Sequence, residues 1–344
     1  MTYAIHPFTL HQPRTVADVL AATRQYPGAQ YLAGGTDLMV NIRRRIREPE
    51  HVIALNGVEE LKGIRIEKGV LTVGAMTSLA ELSTHPGVKA SVPALAEAAG
   101  LVAGPTIRNM GTAGGNLVLD TRCRYYNQSF FWRKSNDFCL KKDGGVCHVA
   151  PGGTFCWAAF SGDTPPVWLL LGAEIDLAGP DGQRTVKLND FYGTDGRWAI
   201  GDEPGGLKPG ELILRIRATL PDKSWQGVYE KLRVRDSIDY TLVGAALMIQ
   251  WGPSRQVDGL ALALTAVNPR PEIVSGTEKL TGQSLTPALV EQLKKLANRT
   301  GKPMRTTVAD PAYRRAMIGS LVEKAVSRLA PEIAERLRAQ AQWA

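Results

Sequence analysis

The 344 residues are more than one hydrophobic core usually serves, so we expect two or three domains. Hydrophobic residues make up 44% of the chain and charged residues 22%, which excludes a largely disordered protein. The net charge of +8 would suit an acidic partner. However, no nucleic-acid-binding module accompanies it, and no apolar run is long enough for a membrane. No secretory signal is seen, so we expect a cytoplasmic protein with reduced cysteines.

Residues 1–60 are predicted to form a small α/β unit. "TVADVLAATRQY" has helical spacing, with Thr15 as its N-cap, and "AQYLAGG" indicates a short strand that ends in a glycine turn. "DLMVNIRRRI" indicates a second helix and "HVIALNGV" another strand.

Residues 61–221 begin with a hairpin and continue with Ala-rich helices. In "LKGIRIEKGVLTVGAMTS" apolar residues alternate with others on both sides of a Lys-Gly turn, which predicts the hairpin. Residues 222–344 start with strand-like "GVYEKLRV". We predict a helix for "DYTLVGAALMIQW", a strand for "LALALTAV" and an amphipathic surface or docking helix for "SLVEKAVSRLAPEIAERLRAQ".

Two turns rich in Gly, Thr and Asn are candidates for cofactor binding. "YLAGGTDL" places Gly34 and Gly35 after a strand, and "TIRNMGTAGGN" carries Gly111, Gly114 and Gly115. Glycine allows a ligand to approach the backbone closely, and two such turns could enclose a pyrophosphate. Neither matches a Rossmann or Walker motif, so a purely structural turn stays open for each.

All four cysteines, Cys123, Cys139, Cys147 and Cys156, lie within 34 residues. None forms the closely spaced pair typical of zinc ribbons, and disulfides are disfavoured in a reducing compartment. Four thiolates are what a cubane iron–sulfur cluster requires, and aromatic residues surround these cysteines. We favour an iron–sulfur cluster over zinc, and either over an aromatic mini-core beneath a loop. His148 beside Cys147 is read as a surrounding residue rather than a ligand.

The two glycine turns, a later "SGD" and "YEKLRVRDSIDYTLVGAAL" resemble the flavin-binding subunits of the molybdenum hydroxylases. The resemblance covers essentially the whole chain. It implies an α+β fold with two α/β FAD-binding subdomains, residues 1–60 and 61–221, and a C-terminal antiparallel sheet with helices, residues 222–344. The cysteine-rich insertion, residues 121–160, is similar to that of the 4-hydroxybenzoyl-CoA reductase β-subunit branch.

The resemblance also implies the site residues. It implies that a 4Fe–4S cluster is bound by Cys123, Cys139, Cys147 and Cys156. It implies that FAD is held by Leu32, Ala33, Gly34, Gly35, Thr36, Asp37, Thr106, Asn109, Thr112, Gly114, Gly115, Asn116, Asp163 and Lys231. Tyr240 stands where the family often has a small residue, which puts a nicotinamide site in doubt.

The function implied is that of an electron-transfer subunit without catalytic residues of its own. A molybdopterin-containing large subunit and a 2Fe–2S small subunit would complete a heterotrimer, itself dimerised, with ferredoxin as electron donor. The reaction implied is reductive dehydroxylation of 4-hydroxybenzoyl-CoA. Two alternatives stay open: the FAD subunit of a molybdenum hydroxylase for another aromatic or N-heterocyclic substrate, and a zinc-stabilised basic binding protein.

Overall fold

A computed structural model describes residues 5–193 and 206–341. Its first unit is a parallel three-stranded sheet with two helices: β1 Thr9–His11, α1 Val16–Gln25, β2 Gln30–Leu32, α2 Leu38–Arg43 and β3 His51–Ala54. The strand order is β1-β3-β2. As predicted, Thr15 caps α1, its hydroxyl accepting a hydrogen bond from the Asp18 backbone N–H. Strand β2 leads directly into the first glycine turn.

The second unit is built on an antiparallel five-stranded sheet. Its elements are β4 Ile64–Glu67, β5 Val70–Gly74, α3 Leu79–Thr84, α4 Pro86–Ser91, α5 Pro93–Gly100, α6 Pro105–Met110, α7 Ala113–Leu117, α8 Phe130–Ser135, α9 Pro165–Leu170, β6 Glu174–Gly179, β7 Gly182–Lys187, α10 Leu188–Phe191 and β8 Leu212–Thr219. The strand order is β4-β5-β8-β6-β7. The predicted hairpin is confirmed: Lys68 and Gly69 both have positive φ, at 51° and 76°, as its tight turn requires.

The third unit is an antiparallel sheet covered by helices. Its elements are β9 Trp225–Leu232, β10 Val243–Trp251, β11 Gln256–Thr265, β12 Glu272–Ile273, β13 Gln283–Ser284, α11 Pro287–Thr300, α12 Pro311–Leu329 and α13 Pro331–Ala341. The main strand order is β12-β11-β10-β9, with β13 paired to β11. No helix in the described ranges is both long and apolar enough to cross a membrane.

The helix predicted for "DYTLVGAALMIQW" is wrong, because this segment supplies the central strand β10. It pairs along its length with β9 on one side and β11 on the other. All seven residues from 243 to 249 are buried, since Ala246 packs into the second unit while its neighbours Ala245 and Leu247 pack beneath the C-terminal helices. A strand buried on both faces lacks the alternation that distinguishes a strand from a helix in sequence.

The predicted amphipathic tail is two helices, α12 and α13, which meet at Pro331. Helix α12 buries one face, including Ile318, Val322 and Val326, against the third sheet. It is therefore a structural cover of that sheet and not a free surface helix. The second and third units also share a core, because Tyr229 on β9 packs among the buried residues of the second unit.

Candidate functional site

The two glycine turns, which are separated by about 70 residues in the chain, pack directly against each other. A Cβ added to Gly34 would lie 1.7 Å from the carbonyl oxygen of Met110, so no side chain fits at that position. Gly114 is similarly close to Ala75, where an added Cβ would lie 2.8 Å from the alanine Cβ. Glycine at these positions lets the backbone segments touch.

A cavity of about 340 Å³ lies beside this contact. Ten of the predicted cofactor-binding residues line it: Ala33, Gly34, Gly35, Thr36, Asp37, Thr112, Gly114, Gly115, Asn116 and Asp163. Four do not. Leu32 ends β2, Thr106 and Asn109 are exposed on α6, and Lys231 lies behind Asp163.

Other cavity-lining residues were not singled out in the sequence. Apolar side chains such as Met76, Leu79 and Ile107 form much of the wall, and they carry no local motif. The amide oxygen of Asn116 accepts hydrogen bonds from the backbone N–H and the hydroxyl of Thr164, at 3.1 and 2.7 Å. The orientation of the Asn116 side chain is therefore fixed by a residue next to Asp163.

Asp163 is buried and bound by three side-chain donors. The hydroxyls of Tyr229 and Thr241 donate to its Oδ1 at 2.7 and 2.6 Å, and Lys231 Nζ donates to Oδ2 at 2.9 Å. Lys231 also donates to the Leu101 carbonyl at 2.9 Å. Burial, and then the charge of Asp163, raise the pKa of Tyr229 far above its ordinary value, so its hydroxyl stays protonated.

Asp163 thus joins the second unit to strand β9. Tyr229 and Lys231 are two residues apart on that strand, which places both side chains on the same face. Because side chains alternate between the two faces of a strand, the two-residue spacing of Tyr229 and Lys231 was a sequence signal that they share a face. The sequence contains no comparable signal for Thr241.

A second group of polar residues lies at the solvent-facing edge of the cavity. Arg122 forms an ion pair with Asp37 at 3.5 Å, and its guanidinium carbon lies 3.7 Å from the centre of the Tyr240 ring. Burial raises the pKa of Asp37, although the positive charge of Arg122 opposes that shift. Asn41 donates to the same carboxylate at 2.9 Å.

The four cysteines converge around a separate cavity of about 20 Å³. All four are buried, and none is in a disulfide. The rest of the lining is formed by Tyr125, Tyr126, Leu140, Lys141, His148, Val149, Trp157 and Ala158. His148 Nε2 contacts the Phe138 carbonyl.

Burial makes two of these thiols less acidic. It raises the pKa of Cys123 to about 12 and raises that of Cys156 as well. The Ala158 backbone N–H donates to the Cys156 sulfur at 3.4 Å. Within residues 5–193 and 206–341, no group of three or more His, Cys, Asp or Glu side chains is arranged to hold a metal ion.

The insertion packs against the first unit where two arginine-containing segments meet, residues 43–47 and the insertion itself. The buried Arg133 side chain donates to the carbonyls of Arg44 and Arg45 at 3.3 and 2.7 Å. Arg44 in turn donates to the Asn127 carbonyl at 3.0 Å, and Ile46 joins the small core around the cysteines. Part of the basic excess is therefore structural.

Two protein families match consecutive parts of the chain. Residues 6–221 match the family described as "FAD binding domain in molybdopterin dehydrogenase". Residues 228–329 match the "CO dehydrogenase flavoprotein C-terminal domain".

Individual relatives agree with these matches. The chain is 30% identical to the carbon monoxide dehydrogenase medium chain of Hydrogenophaga pseudoflava, over 93% of this chain and 96% of that one. It is 32% identical to the FAD-binding subunit of an aldehyde oxidoreductase of Escherichia coli, over 71% and 77%. A solved structure of carbon monoxide dehydrogenase from Hydrogenophaga pseudoflava superimposes with a TM-score of 0.75 at 27% identity, covering 94% of this chain and 98% of that one. The fold implied by the resemblance is confirmed.

Proposed function

Because this chain belongs to the FAD-binding subunits of the molybdenum hydroxylases, we propose that it carries electrons between ferredoxin, a 4Fe–4S cluster, FAD and its partner subunits. Within the family we assign it to the 4-hydroxybenzoyl-CoA reductase branch, whose complex converts 4-hydroxybenzoyl-CoA to benzoyl-CoA. One observation carries this assignment. The segment between Asn116 and Asp163, two residues that line the large cavity, brings all four cysteines around a second cavity.

The large cavity suits FAD in its chemistry. Its glycine turns bring backbone without side chains to the cavity, Thr36 and Thr112 lie in its wall, and apolar side chains provide a surface for a flat ring. The ten residues found in the wall would hold the cofactor, together with Lys231 acting through Asp163. FAD supplies the ability to exchange electrons one or two at a time.

A cubane cluster and a single zinc ion make different demands on the spacing of four thiolates. A tetrahedral zinc with sulfurs at about 2.3 Å would hold those sulfurs less than about 4 Å apart. The described residues contain no group already arranged to hold a metal ion, and this applies to a single zinc ion and to a cluster alike. In a cubane each thiolate binds a different iron, so the ligands are spread more widely. The cluster proposal rests on the convergence of the thiols and on the similarity of the insertion.

Partner subunits would supply the molybdenum chemistry. A molybdopterin-containing large subunit and a 2Fe–2S small subunit would complete the heterotrimer. Two exposed cationic residues of the insertion, Arg124 and Lys134, would help to attract an acidic ferredoxin. Raised salt should then slow electron entry, since attraction between exposed charges is screened.

The first experiment tests the cofactors. Anaerobically purified protein should contain one FAD and about four irons with acid-labile sulfide per chain, and its absorption should show flavin bands above a broad iron–sulfur background. Replacing Cys139 with Ser should lower the iron content and leave the flavin bands. A colourless protein with one zinc per chain would contradict the proposal and support the binding protein.

The second experiment tests the reaction. The complex purified through a tag on this chain should contain the two partner subunits and should reduce 4-hydroxybenzoyl-CoA with reduced ferredoxin. Related subunits are named for carbon monoxide dehydrogenase and aldehyde oxidoreductase. A complex that turns over carbon monoxide, an aldehyde or an N-heterocycle, but not the thioester, would refute the branch assignment and keep the family.

A further inference from the structure

Three segments far apart in the chain meet at the solvent-facing edge of the large cavity. Asp37 belongs to the first glycine turn, Arg122 to the insertion and Tyr240 to the segment that precedes β10. Asp37 and Tyr240 line the cavity, and Arg122 lies behind both. A planar guanidinium can stack on an aromatic ring and pair with a carboxylate at the same time, as Arg122 does here.

The backbone of Arg122 is set by the insertion. Arg122 and Ala159 exchange two backbone hydrogen bonds, at 2.7 and 2.8 Å, which closes the base of the insertion. The next residue is Cys123, whose backbone N–H donates to the Asn127 side chain at 2.9 Å. The position of the guanidinium is therefore linked to the fold around the cysteines.

The segment that carries Tyr240 is strained. Ile238 has a φ of +53°, an outlier for a β-branched residue, and its N–H donates at 3.1 Å to the carbonyl of Ala103, which has a φ of +41°. Such strain persists only where contacts from outside the segment hold it in place. The contact of Arg122 with Tyr240 is one contact of this kind.

We propose that Arg122 is a positioning residue that clamps Tyr240 over the cavity, so that the cysteine insertion builds part of the wall between flavin and solvent. This rests on the FAD site proposed above. The clamp limits the access of small oxidants to reduced flavin. In that side reaction dioxygen takes two electrons and one proton from the flavin hydroquinone anion and a second proton from water, which leaves oxidised FAD, hydrogen peroxide and hydroxide.

The test compares Arg122→Gln, Tyr240→Leu and the double variant, with Arg124→Gln as the control because Arg124 is an exposed arginine of the insertion that stacks on Tyr125 instead. Loss of one stacking contact should raise FAD release and peroxide formation by about 2- to 30-fold in either single variant. Iodide quenching of flavin fluorescence should rise as well. Because both substitutions break the contact between Arg122 and Tyr240, the effect of the double variant should fall short of the two single effects combined. Additive effects, or an Arg122→Gln protein that matches the control, would overturn the clamp.

A readout without flavin separates this inference from the proposed function. Trypsin cleavage after Arg235, three residues before Ile238, should be faster in cofactor-free Arg122→Gln than in cofactor-free wild type. Tyr240→Phe keeps the ring and should cleave at the wild-type rate. Equal cleavage of Arg122→Gln and wild type would refute the clamp, whereas a wild-type protein that binds no FAD would refute the proposed function instead.

Discussion

Replacing Lys231 with Met should destabilise the protein strongly, because it leaves the Asp163 carboxylate buried without its cation. The side chains of this ion pair are 2% and 4% exposed, and their atoms lie 2.9 Å apart. Tyr229 and Thr241 would still donate to the carboxylate, but both are neutral. Removing one partner of a buried pair typically costs about 3 to 5 kcal/mol. We expect a loss of that size in the free energy of unfolding.

The matched control is Lys324→Met. Lys324 pairs with Glu230 at 2.8 Å, but its side chain is 65% exposed, and Glu230 keeps a second partner in Arg328. Because the lysine of this pair faces solvent and the buried Glu230 carboxylate keeps Arg328, removing Lys324 should cost only about 1 kcal/mol. Urea unfolding of the cofactor-free proteins, followed by circular dichroism, compares the two variants without any contribution from FAD binding.

A second substitution isolates the charge. Asp163→Asn in the Lys231→Met background removes the uncompensated charge and keeps an oxygen for the two hydroxyls. The double variant should therefore recover part of the lost stability. If Lys231→Met unfolded at the same urea concentration as Lys324→Met, the reasoning from burial would be refuted.

Two further predictions follow from the cavity wall. Gly34→Ala should abolish FAD retention and lower stability, because its Cβ would lie 1.7 Å from a backbone oxygen. The control is Gly145→Ala, whose Cβ meets nothing within 4 Å, so this variant should bind FAD normally. Equal flavin content in the two variants would contradict the packing of the turns. Burial alone would raise the pKa of Glu211, but hydrogen bonds, chiefly from Arg184 at 2.6 Å, outweigh it and hold the pKa below its usual value. The stability that this pair contributes is therefore present above about pH 4.3, and it is lost as the pH falls through the lower folded-state pKa of Glu211. In urea titrations, Arg184→Met should be less stable than wild type by about 1 kcal/mol at pH 7. That difference should shrink progressively below about pH 4. If the stability difference between Arg184→Met and wild type increased as the pH fell, this reasoning would be refuted.

Local signals in the sequence predicted local structure well. The Thr15 cap and the Lys68–Gly69 turn act within a few residues, so both could be read directly and both are present. Strand β10 was misread because its Ala, Leu and Met residues favour a helix, while its strand conformation comes from two neighbouring strands. Propensity does not report such tertiary pairing.

In the candidate site, too, local features could be predicted from the sequence and long-range contacts could not. The glycine turns and the cysteines were recognisable from residue type and spacing. Their arrangement was not, because the Met110 carbonyl that excludes a side chain at Gly34 is 76 positions away in the chain. Arg122 gave no sign of its role, since its partners Asp37 and Tyr240 come from different units. Contacts of this kind depend on the assembled fold.

The bridge between Arg122 and Ala159 has a consequence for how such a chain can evolve. Because the two ends of the insertion are already hydrogen-bonded neighbours, the intervening residues form a loop whose length does not alter the positions of the strands outside it. The cysteine segment could be gained or lost at this point by a single insertion or deletion, and the sequences and pairing of the flanking strands would stay unchanged. The same bridge marks where an engineer could graft the thiol segment onto a relative that lacks it.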